Sequence, residues 1–276
     1  MAESTGTEAA TALLFEKSGG VASLTLNRPA ARNALTCGMF LDMERMLIEI
    51  EADDAVRAVV ITGTGRGFSA GADLNPSSKD ERRRTQAPSF PGDRGGDILD
   101  RANRCILRLQ QLPKPVLGSI NGDAVGVGCS LALATDLRIA SDTARFGVVF
   151  SKIGLGPDGG ASQFLRNLVG SAKALELMFL SELVDAAEAL RLGLVNRVVA
   201  PETLAAETSE LAERLASGPT LAYGFAKSSV YLSAGLPLES VLDLEARNQR
   251  VASRSHDAKE GIKAFLEKRK PEFRGH

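Results

Sequence analysis

Tryptophan is missing from this chain of 276 residues, and tyrosine nearly so, with two Tyr beside eleven Phe. So few stacking platforms argue against a protein that reads exposed bases. An excess of either charge is missing as well. Lys and Arg number 33 against 34 Asp and Glu, a net of −1, which supplies no field to attract nucleic acid or an anionic membrane. The three cysteines, Cys37, Cys105 and Cys129, are odd in number and follow no ligand spacing. Neither a disulfide scaffold nor a metal site is expected from them. No apolar run reaches the roughly 18 residues of a membrane-spanning helix, and the N-terminus has no basic-then-apolar leader. No repeat recurs at a fixed period. The expectation is a soluble, cytoplasmic protein with no membrane association, and with nucleic acid an unfavoured partner.

What is present centres on Lys114 to Asp136, KPVLGSINGDAVGVGCSLALATD. Val116 to Ile120 is a short apolar run of strand type, broken by Asn121-Gly122. Gly126 and Gly128 flank Val127, and Leu131, Leu133 and Ala134 follow with helical spacing. Strand, glycine turn and helix start place unpaired backbone N–H groups at the positive end of a helix dipole. Such a terminus can hold a phosphate, or an oxygen that becomes negative during a reaction. The spacing G-x-x-x-G-x-G is not the dinucleotide fingerprint, and no Gly-Lys-Ser/Thr follows, so neither nucleotide motif is met.

Around this stretch the chain alternates strand and helix signals. Ala12 to Glu16 and Val21 to Leu26 read as a hairpin, after a small, polar segment over residues 1–10 expected to be disordered. Thr36 is placed to cap a helix whose apolar face is Met39, Phe40, Met43, Met46, Leu47 and Ile50. Arg57 to Thr62 reads as a buried strand leading to Phe68-Ser69-Ala70-Gly71-Ala72-Asp73-Leu74. Residues 75–96 are polar, charged and aperiodic, the pattern of a long lid or a disordered loop. Helices are predicted over 98–112, 161–169 and 171–180, with strands at 137–140, around 145–150 and at 194–199. From Pro201 onward the spacing predicts helices over 202–217, 219–233, 237–252 and 256–269. The reading is an α/β core over residues 11–200 with a C-terminal helical region over 201–276.

Four segments, in order, carry a resemblance: Leu26-Asn27-Arg28-Pro29 with Asn33-Ala34-Leu35, Phe68 to Leu74, Asn121 to Asp136, and Glu260 to Lys270. Together they are similar to the enoyl-CoA hydratase/isomerase (crotonase) superfamily over residues 12–272. The resemblance implies a spiral of β-β-α units that assembles through its C-terminal helices into a homotrimer or hexamer. It also implies an acyl-CoA thioester as substrate, with coenzyme A part of that substrate rather than a cofactor. The shared chemistry stabilises a thioester enolate between two backbone N–H groups, and these map onto Ala72 and Val127. Ser69, Ala70, Gly71 and Gly126 then lie against the substrate, and Phe265 and Lys268 match positions that reach CoA, sometimes a neighbouring subunit's. Asp73 reads as a structural hydrogen-bonding residue, and His256 and His276 lie outside the matched motifs.

The hydratases of this superfamily use two glutamates, one to activate water and one to handle the proton at the α-carbon. Those positions fall here on Ser130 and Phe150, neither of which exchanges protons near neutral pH. What remains is Asp158, in SKIGLGPDGG, which resembles a segment of phenylacetate-pathway isomerases in which a lone aspartate moves a proton. A comparable position serves some Δ3,Δ2-enoyl-CoA isomerases. A bed of Val148, Val149 and Phe150 would raise the pKa of such a carboxyl and make it a better base. Against this, Pro-Asp-Gly-Gly before a helix is also where an N-cap aspartate belongs. Three readings therefore stand: a double-bond isomerase using Asp158, an enoyl-CoA hydratase of fatty-acid oxidation, or a non-catalytic acyl-CoA or RNA-binding relative.

Overall fold

The computed structural model describes residues 11–75 and 87–276. The segment expected to be disordered, 1–10, and the middle of the expected lid, 76–86, lie outside the described residues. The hairpin forms as read, with β1 (Leu13–Ser18) antiparallel to β2 (Val21–Leu26). To it are added, in parallel, β3 (Ala58–Gly63), β5 (Val116–Ile120), β7 (Leu137–Ser141) and β10 (Arg197–Val199), giving a six-stranded sheet. A second sheet is built from pieces only two or three residues long. In it β4 (Gly67–Ser69), β6 (Asp123–Val125) and β8 (Arg145–Gly147) run parallel, and β9 (Val184–Asp185) pairs antiparallel with β8.

The order of elements explains the architecture. Each β-β-α unit gives one strand to the large sheet, one to the small sheet, and then a helix. The three units are β3-β4 with α2 (Ile98–Gln111), β5-β6 with α3 (Val127–Leu133), and β7-β8 with α4 (Ala161–Leu180). The path is a spiral, as the resemblance implies, and it leaves the C-terminal ends of β4, β6 and β8 side by side. In parallel sheets the loops leaving those ends are where ligands are handled.

Helix α1 (Cys37–Ala52) starts where expected, with the Thr36 hydroxyl accepting from Met39 N at 3.2 Å. Its predicted apolar face is buried in the main core together with Leu24, Ile61, Phe68, Ile106, Leu109 and Leu131. Helix α4 is interrupted at Gly170 (φ 75°, ψ 166°), between the two helices predicted over 161–169 and 171–180. After α5 (Ala186–Arg191) and β10 come α6 (Leu204–Ala216), α7 (Thr220–Ser233), α8 (Leu238–Ala252) and α9 (His256–Leu266). Helix α6 packs on the large sheet, burying Leu204 and Ala212 against Val60, Leu117 and Ile139. Helices α7 to α9 are more open, with Val230, Leu238, Leu242, Ile262, Phe265 and Leu266 all exposed.

The described end of the expected lid, residues 87–96, is anchored rather than free. Arg101 on α2 is wholly buried and forms a two-pronged ion pair with buried Asp93, at 3.1 and 3.2 Å, while also donating to Ala87 O. Asp93 accepts from Ser89 N and Gly95 N, and these contacts hold its carboxyl below the ordinary range despite burial. A contact between a loop and a helix eight residues on leaves no periodic trace, so the segment reads as aperiodic in sequence.

Candidate active site

Three loops, leaving β4, β6 and β8, come together. The first is shaped by Asn33, a fully buried side chain. Its Oδ1 accepts from Arg28 N at 2.8 Å, and its Nδ2 donates to Thr64 O at 2.9 Å and Gly67 O at 2.8 Å. Ser69 Oγ donates to Asn33 O at 2.9 Å, and Ala70 N to Arg32 O. The Asn27-Arg28 and Asn33-Ala34-Leu35 motifs are thus the frame on which residues 69–73 are stretched.

Within that frame, Leu35 N donates to Gly71 O and Asp73 N to Leu35 O, a parallel bridge that brackets Ala72. When residues on either side bond to one strand, the residue between turns its own N–H the other way. The Ala72 N–H accordingly has no acceptor among the described residues. Asp73 is ion-paired with Arg28 at 2.8 Å, and Arg28 also donates to Ala34 O. That is the structural role read from sequence.

The second loop turns at Gly126 (φ 56°, ψ −132°), whose N donates to Gly147 O. An L side chain is strained in this conformation, and the approach of the loops adds a steric reason for glycine. A Cβ on Gly71 (φ 93°) would stand 2.9 Å from Val125 O, and one on Gly128 would stand 2.7 Å from Ser69 Cβ. Two glycines therefore let the first loop lie directly on the start of α3. Val127 is the first residue of α3, so its N–H precedes the helical ladder and has no acceptor among the described residues. Two free N–H groups on abutting loops can share one oxygen that gains negative charge.

The third loop carries Asp158. Burial pushes its carboxyl above the ordinary carboxylate range. Its Oδ1 is buried without a hydrogen-bond partner among the described residues. It does not cap α4, because the N-cap is Gly160 (φ 81°) and no side chain bonds there. The cap reading of Asp158 is removed. Its backbone is held instead, with the carbonyl accepting from Ser130 Oγ at 2.9 Å and from Ala161 N at 3.1 Å. Ser130 is fully buried and Phe150 nearly so, the Phe150 ring lying against the Gly126 turn.

The other candidate residues stand apart. Phe265 is 82 % exposed on α9, and Lys268, just beyond it, is exposed too. Neither is packed into the site of its own chain. Sequence reasoning did not find Asn33 as the organiser of the first loop. It also missed a cavity of about 830 Å³ between α2, α4 and α7, lined by Asn103, Ile106, Gly160, Phe164, Phe225 and Tyr231. The cavity touches the site's edge at Gly160 but is not lined by Asp158, Ala72 or Val127. No cluster of three or more His, Cys, Asp or Glu that could hold a metal is found among the described residues. No helix among them is long and apolar enough to cross a membrane.

Comparison with known proteins gives this geometry a family. Residues 16–276 match the model of the enoyl-CoA hydratase/isomerase family. The chain is 40% identical over 257 residues to a 1,2-epoxyphenylacetyl-CoA isomerase of Escherichia coli K12, covering 93% of this chain and 95% of that one. It is 37% identical over 261 residues to a short-chain-enoyl-CoA hydratase of Clostridium acetobutylicum, covering 94% and 96%. Among solved structures, an enoyl-CoA hydratase subunit from Geobacillus kaustophilus superposes with a TM-score of 0.85 at 36% identity, covering 96% of this chain and 99% of that one. The family model spans nearly the whole chain and the solved relative superposes over nearly all of it, and the chain belongs to the enoyl-CoA hydratase/isomerase family.

Proposed function

We propose that this enzyme moves a double bond within an enoyl-CoA thioester, with Asp158 carrying the proton and the N–H groups of Ala72 and Val127 holding the thioester oxygen. The observation that carries the reading is the Asp158 carboxyl: desolvated, without a partner at Oδ1 among the described residues, and tied through its backbone to the helix that presents Val127. In a 3-enoyl-CoA the α-carbon proton is acidified by the thioester and the adjacent double bond. Asp158 removes it, and the electron pair spreads over a dienolate whose oxygen gains charge between the two N–H groups. The same carboxyl then returns a proton at the γ-carbon, leaving the double bond conjugated with the thioester. One carboxylate completes this cycle, and a raised pKa suits it to both halves.

Ser69, Ala70, Gly71 and Gly126 form the wall along which the thioester lies. The cavity of about 830 Å³ beyond Gly160 has room for an acyl chain. Phe265 and Lys268, exposed on their own chain, are assigned to the CoA of a neighbouring chain in a homotrimer or hexamer. Ile262 and Leu266, exposed on the same helix, support such a packing.

Hydration is the second reading, favoured by the 37% identity to a short-chain-enoyl-CoA hydratase. Against it, Ser130 and Phe150 leave no carboxylate at the two positions where hydratases of this family carry glutamates. The two readings separate when trans-3-enoyl-CoA and trans-2-enoyl-CoA are supplied in turn and products followed by absorbance and mass. Conversion of the 3-enoyl thioester without gain of mass, and slow water addition to the 2-enoyl thioester, supports isomerisation. Fast gain of one water by the 2-enoyl thioester, with an inert 3-enoyl thioester, overturns it.

A further inference from the structure

Ser130 occupies a position where acid–base chemistry would need a carboxylate, and a hydroxyl cannot supply it. Its contacts give it another part. It is wholly buried on α3, three residues after Val127. Its Oγ donates to Asp158 O at 2.9 Å, with a longer contact of 3.4 Å to Gly126 O, so one hydroxyl touches the turn before the donor and the loop of the base. The loop is seated by shape as well. A Cβ on Gly159 would lie 2.8 Å from Ser130 Cβ and 3.3 Å from Val127 Cγ2, so Gly159 rests directly on α3. Meanwhile no partner among the described residues restrains Asp158 Oδ1. The position of the carboxyl is therefore set by its backbone, and Ser130 supplies the hydrogen bond to that backbone from outside the loop.

We propose that Ser130 is a positioning residue for the reaction: its hydroxyl fixes the Asp158 backbone to α3, so that proton carrier and Val127 donor ride on one rigid element. The inference rests on the reading of Asp158 as the proton carrier. A shift of the base away from the α-carbon would slow proton transfer while leaving CoA contacts alone, so the loss belongs in kcat and not in KM. Losing one buried hydrogen bond corresponds to a fall of roughly 3- to 10-fold.

The test is a double-mutant cycle on full-length enzyme with a trans-3-enoyl-CoA. Ser130→Ala should lower kcat by about that factor with KM unchanged. In an Asp158→Asn background, Ser130→Ala should then cost nothing more, because the group it positions is already gone. Gly159→Ala, which pushes the same loop off Ser130 and Val127 with the hydroxyl still present, should also lower kcat. A Ser130→Ala enzyme within twofold of wild type, beside a slow Asp158→Asn enzyme, overturns the inference and leaves Asp158 as the proton carrier. An equal further loss in the Asp158→Asn background overturns it too, since Ser130 would then be supporting the N–H pair. Wild-type rates in Asp158→Asn alone remove the proton-carrier reading, and this inference with it.

Discussion

Replacing Asp158 with Asn separates a proton carrier from a structural aspartate, because the two roles move rate and stability in different directions. The substitution keeps the shape of the side chain and removes only its charge and its exchangeable acid. A positioned general acid–base group is worth roughly 10²–10⁴-fold, so isomerisation of a 3-enoyl-CoA should fall by that range while affinity for a CoA thioester barely changes. Stability should not fall. The folded-state pKa of Asp158 lies above its unfolded value because burial penalises the charged form. A carboxyl shifted that way destabilises the fold as pH rises through the unfolded pKa, and the effect is complete above the folded one. At neutral pH the Asn variant should therefore melt no lower than wild type, and slightly higher, whereas well below the unfolded pKa of about 3.9, where the aspartate is protonated in both states, the two should converge. Thermal melts across this pH range, run beside single-turnover isomerisation, check both halves. A variant that melts lower at pH 7 and isomerises within a few-fold of wild type would return Asp158 to a structural role.

Further outcomes follow from the same geometry. The isomerase rate should drop as pH falls through the raised pKa of Asp158, since only the deprotonated carboxyl abstracts, so the acid limb of kcat/KM should lie above the ordinary carboxylate range and vanish in Asp158→Asn. Asn33→Ala leaves Arg28 N and Thr64 O without their side-chain partner and removes one of two amide donors to Gly67 O, the other being Asn121 Nδ2; urea unfolding should show a loss of about 1–3 kcal/mol, the usual penalty for one stranded buried group, with kcat falling as the Ala72 donor loses its frame. Phe265→Ala and Lys268→Ala should raise KM for the CoA thioester a few-fold with kcat held. A loss of kcat at constant KM in either would refute their assignment to CoA.

How much of this could be read from the chain depends on how local each interaction is. Thr36 and its helix face, the interruption at Gly170 and the glycine turn before Val127 are settled within a few residues, and they appear where the spacing puts them. The small sheet does not announce itself, because strands of two or three residues carry no alternation. Yet those strands bring Ser69, Gly126 and the loop of Asp158 together. Asp158 shows the limit most plainly. Pro-Asp-Gly-Gly before a helix satisfies every local rule for a cap, and the local rule loses because Gly160 takes the N-cap position and the carboxyl is left in a desolvated gap. What seats this loop is contact with α3, 28 residues earlier, through the Ser130 Oγ bond to Asp158 O and the close packing of Gly159 on Ser130 Cβ and Val127 Cγ2. The residue type that makes this contact possible is the small one at 130. A side chain as large as glutamate there would fill the space on which Gly159 rests, so the small residue at 130 is what lets the Asp158 loop lie directly on α3.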